Sequence, residues 1–199
     1  HEIKNPLAVC KGYLDMFDVN DKKKANRYIG IVNQEIDRTL LLLQDFSAAS
    51  KLNIEKEPID INLLLLDICD EAKLVLKNIK FDYDIGENEI YINGDYNRLK
   101  QVFLNIIKNS KEAIKKNGRV KLWTEIKKKK IIINIEDNGE GITKDNLENI
   151  GKAFYTTKKN GTGLGVCFSK EIVEKHDGTI EYISTEGVGT LVRITFPIK

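Results

Sequence analysis

Two glycine-rich stretches, each fastened to the end of a different kind of element, constrain this chain more than any other feature. Asp137-Asn-Gly139-Glu-Gly141-Ile142 follows Lys130 to Glu136, where isoleucines alternate with polar residues as in a half-buried strand. An aspartate at a strand end, followed by glycines one residue apart, sets a carboxylate beside backbone that another group can approach closely. Gly161-Thr-Gly163-Leu164-Gly165 opens an apolar helical run from Leu164 to Lys175. Glycines at a helix start leave N–H groups pointing at whatever anion sits there. Read singly, each stretch is equally a turn or a helix cap. A third run stands upstream, Asn105-Ile-Ile-Lys-Asn109-Ser-Lys-Glu-Ala113, on a strongly apolar helical segment. Its two asparagines are four residues apart and project from one helix face. Amide oxygens on such a face suit a hard Mg²⁺ already held by phosphates.

The first fifty residues follow a different pattern. Ile3, Leu7, Cys10, Leu14 and Phe17 step by four and three, a narrow seam of coiled-coil type. Pro6 is expected to kink or loosen that helix. Asp18 to Asp21 reads as stop, turn and cap, and a second helix is predicted from about Lys22 to Lys51. Ile29, Val32, Ile36, Leu40, Leu43 and Ser47 continue the seam. Helices with such narrow seams bury little alone. The expectation is a helical hairpin over 1–52 that pairs with a second copy as a four-helix bundle, the alternative being a hairpin docked on its own domain.

A polar linker with one proline spans 53–58, and short strands and helices follow over 59–199. Strands are predicted at Pro58–Ile61, Lys80–Asp84, Glu89–Ile92, Arg119–Ile126, Lys130–Glu136, Thr179–Ser184 and Thr190–Pro197. Helices are predicted from Asn62 to Lys77, with Leu63 to Leu66 and Ile68 buried, from Asp95 to Lys116, from Lys144 to Ile150 and from Leu164 to Lys175. The fold class is α+β, a helical hairpin followed by a two-layer sandwich of one sheet under helices.

Charge excludes some functions. With 32 basic and 30 acidic residues the net charge is +2, so there is no footprint for nucleic acid. The dense basic run Lys127 to Lys130 reads as a solvated hairpin turn. Cys10, Cys69 and Cys167 are odd in number and lack metal-ligand spacing, as in a reducing, cytoplasmic compartment. No stretch is apolar for long enough to span a bilayer. Because the chain begins at the histidine of a motif, it reads as a fragment behind a sensor or membrane-anchored region.

In order, the Asn run, Asp-x-Gly-x-Gly, Phe154-Tyr-Thr-Thr-Lys158 and Gly-x-Gly-x-Gly resemble the nucleotide-binding domain of histidine kinases, within the wider gyrase, Hsp90 and MutL ATPase superfamily. His1-Glu2-Ile3-Lys4-Asn5-Pro6 resembles the phosphoacceptor box of the same kinases. The resemblance covers nearly the whole chain, with wording closest to sporulation-type or nitrogen-type kinases. It implies that Asp137 accepts a hydrogen bond from the adenine amino group, that Thr190 supports the same ring, and that Asn109 meets Mg²⁺. It implies that Gly139 and Gly141 bind the nucleotide, that Phe154 to Lys158 open a lid over the triphosphate with Lys158 a phosphate contact, that Gly161, Gly163 and Gly165 supply N–H groups to the phosphates, and that Leu164 anchors the helix. Where hydrolytic relatives carry a water-activating Glu, this chain has Asn105. An amide is no base at neutral pH, so the site should hold ATP without hydrolysing it quickly. His1 is then the nucleophile, Glu2 the partner of its other ring nitrogen, and Asn5 the residue that orients a water for dephosphorylation. His176 is expected only to cap the helix before it.

The function these features imply is ATP-dependent autophosphorylation of His1, then transfer to an aspartate of a response-regulator receiver domain. Two alternatives stay open: an ATP-hydrolysing clamp, and a non-catalytic module that binds a receiver. The stimulus, the cognate regulator and whether transfer runs within or between protomers are not written in these residues.

Overall fold

The structure, a computed structural model, describes residues 3–19, 21–50, 53–158 and 161–199, with the backbone alone at 38, 41–42 and 44–50. It divides into two compact units, His1–Leu52 with Thr156–Thr162, and Asn53–Tyr155 with Gly163–Lys199.

In the first unit α1 (Lys4–Asp15) and α2 (Lys22–Ser50) form a hairpin. They run antiparallel: Cys10 Sγ lies 3.6 Å from the Val32 carbonyl, and the Tyr13 and Tyr28 rings are 5.1 Å apart. Asp21 Oδ1 accepts the Lys24 N–H at 3.1 Å, so the connection does end in a cap. Pro6 produces no break. It is the third residue of α1, inside the first turn, where a missing N–H removes no helical bond. Along the seam only part is covered. Cys10 is buried, whereas Leu7, Leu14, Phe17, Ile29, Ile36, Leu40 and Leu43 remain 38–58% exposed. The side chain of Ser47, the last seam position, lies outside the described residues.

The second unit contains β1 (Glu57–Asp60), α3 (Ile61–Val75), β2 (Lys80–Asp84), β3 (Tyr91–Gly94), α4 (Tyr96–Ala113), β4 (Arg119–Lys127), β5 (Lys130–Asp137), α5 (Lys144–Leu147), α6 (Gly165–Lys175), β6 (Thr179–Thr185) and β7 (Gly189–Pro197). Five strands form a mixed sheet in the order β2-β4-β5-β7-β6, with β2 parallel to β4 and every other pair antiparallel. The expected single sheet is in fact two, because β1 and β3 pair as a separate antiparallel ribbon. Alternate residues of the central strands are buried, among them Val120, Leu122, Ile133, Ile135, Val192 and Ile194. Against this sheet pack α4 and α6, which also pack on each other, with α3 on the other side of α4.

Several boundaries move for identifiable reasons. Leu64, Leu65 and Ile68 are buried, but Leu63 is 63% and Leu66 43% exposed. At 3.6 residues per turn, four consecutive leucines cannot share one face. Helix α4 ends at Ala113 rather than Lys116, since the Glu140 N–H takes the Ala113 carbonyl at 3.0 Å and Ile114 turns extended. Helix α5 stops at Leu147 rather than Ile150, and β3 begins at Tyr91, two residues late. The lysine run does form a two-residue hairpin turn, Lys127 pairing with Lys130 and Lys128 adopting φ 59°.

Candidate functional site

Asp137 is the last residue of β5, and its register partner on β7 is Thr190. Both are buried. The Asp137 carboxylate accepts the Gly139 N–H at 2.9 Å, and the Ser110 hydroxyl and the Thr190 backbone N–H also favour its charged form. Burial pushes its pKa above the ordinary carboxylate value, and those three donors oppose the rise. A carboxylate has about four lone-pair sites and the Gly139 N–H fills one, so capacity remains for a further N–H donor.

The loop after Asp137 is pressed between two elements. A side-chain carbon on Gly139 would stand 2.7 Å from Ala113 Cβ at the end of α4. On Gly141, which has φ 68°, it would run into the Thr185 carbonyl. The Ile142 N–H reaches Ser184 Oγ at 2.8 Å, and Ser184 Oγ in turn bonds Thr190 Oγ1 at 2.9 Å. The two glycines therefore let protein backbone close on protein backbone, and the loop is held at both ends before any ligand arrives.

On α4, Asn105 and Asn109 are half-buried. Asn105 Nδ2 donates to Ser169 Oγ at 2.9 Å, and its Oδ1 would stand 2.8 Å from a side-chain carbon at Gly165. This puts Asn105 against the start of α6, where Leu164 is buried at the N-cap without any side-chain cap bond. Gly163 has φ 70° and lies against the Phe154 backbone, which itself adopts φ 65°. Among the described residues no cluster of three or more His, Cys, Asp or Glu side chains could hold a metal.

The remaining expected site residues belong to the hairpin unit or fall outside the described residues. Lys158 and Gly161 belong to Thr156–Thr162 in the hairpin unit, where the Gly161 N–H bonds the Lys158 carbonyl at 3.1 Å and the Lys158 N–H bonds Thr156 Oγ1 at 3.1 Å. Asn5 is exposed in the first turn of α1. His1 and Glu2 fall outside the described residues. His176 does more than end its helix. Its Nδ1 bonds the Ile172 carbonyl at 2.6 Å, and its Nε2 accepts the Asp95 N–H at 2.8 Å, which makes it the neutral Nδ1–H tautomer joining α6 to the start of α4. Ser110, Ser169 and Ser184 were missed by sequence reasoning. Serines carry little signal until strand register and helix packing set them beside Asp137, Asn105 and Thr190.

Comparison with known proteins matches this geometry to a family. The profile described as "Histidine kinase-, DNA gyrase B-, and HSP90-like ATPase" covers residues 94–199. The profile "His Kinase A (phospho-acceptor) domain" covers residues 1–54. Sporulation kinase A of Bacillus subtilis (strain 168) is 36% identical over 203 residues, spanning 100% of this chain but 33% of the relative. Sporulation kinase C of the same organism is 34% identical, with 47% of its length covered. The chain thus spans less than half the length of these relatives. The catalytic domain of histidine kinase ThkA in a nucleotide-free form superposes with a TM-score of 0.65 at 27% identity, over 72% of this chain and 95% of that one.

Proposed function

The chain belongs to the histidine kinase-, DNA gyrase B- and HSP90-like ATPase family and carries the phospho-acceptor domain of sensor histidine kinases ahead of it; from that premise we propose a division of labour among its residues. Asp137, with Thr190 beside it, receives the adenine amino group, while Gly139 and Gly141 shape the wall of the base seat. The first-turn N–H groups at Gly163–Gly165 face phosphate, Leu164 anchors that turn, and Lys158 and Gly161 close over it from the lid. Asn109 would offer an amide oxygen to a Mg²⁺ held by the phosphates.

A ring nitrogen of His1 then attacks the γ-phosphorus. The P–N bond forms as the bond to the ADP oxygen breaks, and Glu2 supports the imidazole through its other nitrogen. Asn105 offers no carboxylate to activate water, so the phosphoryl group waits for the imidazole. Phosphohistidine would next pass its phosphoryl group to an aspartate of a receiver domain, and Asn5 would orient the water that hydrolyses that phosphoaspartate to aspartate and inorganic phosphate. The open apolar seam on α1 and α2 supports pairing with a second copy. A cytoplasmic location for this part of the protein accords with the same reading.

The observation that carries the proposal is the buried carboxylate of Asp137, donor-lined yet with an acceptor site to spare. The test is γ-labelled ATP and Mg²⁺ given to the full-length protein. Acid-labile label that disappears in His1→Gln, and nucleotide affinity that falls at least about tenfold in Asp137→Asn, are the expected results. Rapid release of free phosphate with no protein-bound label would mark a hydrolase instead.

A further inference from the structure

Helices α4 and α6 meet at a small polar contact within the mostly apolar interior of the unit. Asn105 lies in a notch on α6, cut by the missing side chain of Gly165 and floored by the hydroxyl of Ser169 four residues on, on the same face. The Asn105 Nδ2 to Ser169 Oγ distance is 2.9 Å, and Ser169 is only 2% exposed. A side-chain carbon at position 165 would stand 2.8 Å from Asn105 Oδ1 and 3.2 Å from Nδ2, so the amide fills the space that residue leaves.

The first turn of α6 needs such a contact. Its N-cap, Leu164, supplies no side-chain hydrogen bond, and the two flanking glycines add backbone freedom. First-turn N–H groups have no acceptor within the helix, so where they point depends on how the turn is held from outside. We infer that Asn105 and Ser169 form a brace that sets the aim of the α6 N–H groups, which makes Ser169 a positioning residue for the phosphate end of the nucleotide. Ser169 acts through Asn105 and the helix and touches no nucleotide atom. The inference rests on the reading of Gly163–Gly165 as the phosphate seat, and it changes the role of Asn105. The amide is engaged in holding a helix, so position 105 serves geometry as well as avoiding hydrolysis.

The test is a double-mutant cycle read by calorimetric binding of a non-hydrolysable ATP analogue with Mg²⁺ and, separately, of AMP. Asn105→Ala and Ser169→Ala are each expected to weaken the ATP analogue about tenfold, as for one lost buried hydrogen bond, and the double variant to be no weaker than the worse single. AMP, held chiefly at its base, should change less than about twofold, and Ser169→Thr should restore wild-type binding. Should Ser169→Ala fail to fold, Ser169→Cys, of similar volume but a poor hydrogen-bond partner, is expected to give the same loss. Losses that multiply in the double variant, a normal Ser169→Ala beside a defective Asn105→Ala, or equal weakening of AMP overturn the brace. Wild-type protein that binds AMP but gains nothing from the further phosphates overturns it together with the phosphate seat. If neither compound binds, the nucleotide reading itself falls and takes the brace with it.

Discussion

The hydroxyl of Tyr182 is buried and meets no hydrogen-bond partner among the described residues. Burial accordingly pushes its pKa well above that of a free phenol. A buried, unpaired hydroxyl costs desolvation without recovering a bond, so Tyr182→Phe should stabilise the protein by about 1 kcal/mol. Urea unfolding checks this, and an unchanged or lower midpoint counts against it. Asp137 is the opposite case, a buried polar group that has a partner, the Gly139 N–H, and acceptor capacity beyond it. Its type, strand-end position and following glycines made it readable in the chain. Its donors were readable only in part: Gly139 is local, but Ser110 arrives from α4 and Thr190 from β7.

Among the elements, the loop from Gly139 to Ile142 shows most clearly what glycine is for. Gly141→Ala meets both a left-handed backbone and the Thr185 carbonyl, and should cost about 3 kcal/mol or more. Gly187 has a similar φ of 75° but open space around it, so Gly187→Ala should cost only about 1 kcal/mol. Comparing the two by denaturant unfolding separates backbone strain from collision, and equal losses would mean that the collision relaxes away. From the chain alone the two positions look alike. Likewise the leucine run of α3 announces a buried helix, but helical geometry decides which leucines go in. The end of α4 shows the same limit, since its last carbonyl is claimed by a loop that follows the next hairpin.

For the molecule as a whole, His176 ties the end of one helix to the start of another from a buried position. Burial, the largest cause, lowers its pKa below the ordinary 6.5. The unfolded chain therefore takes up a proton near pH 6.5 while the folded protein resists it, so stability falls as pH drops below about 6.5. Thermal unfolding between pH 7.5 and 5.5 should show that fall, and His176→Gln should flatten it; a profile equally steep in the variant would assign the fall to other groups. Periodicity and local motifs by themselves determined the hairpin, most strands and helices, and the aspartate, asparagines and glycines of the candidate site, because these depend on neighbours within about one turn or one strand. Tertiary structure alone decided that the glycines accommodate backbone, that three serines tie down the site's polar side chains and that the small ribbon stands apart from the main sheet. Those outcomes depend on strand register and helix contact between residues far apart in the chain, and no local pattern of residues encodes a distance.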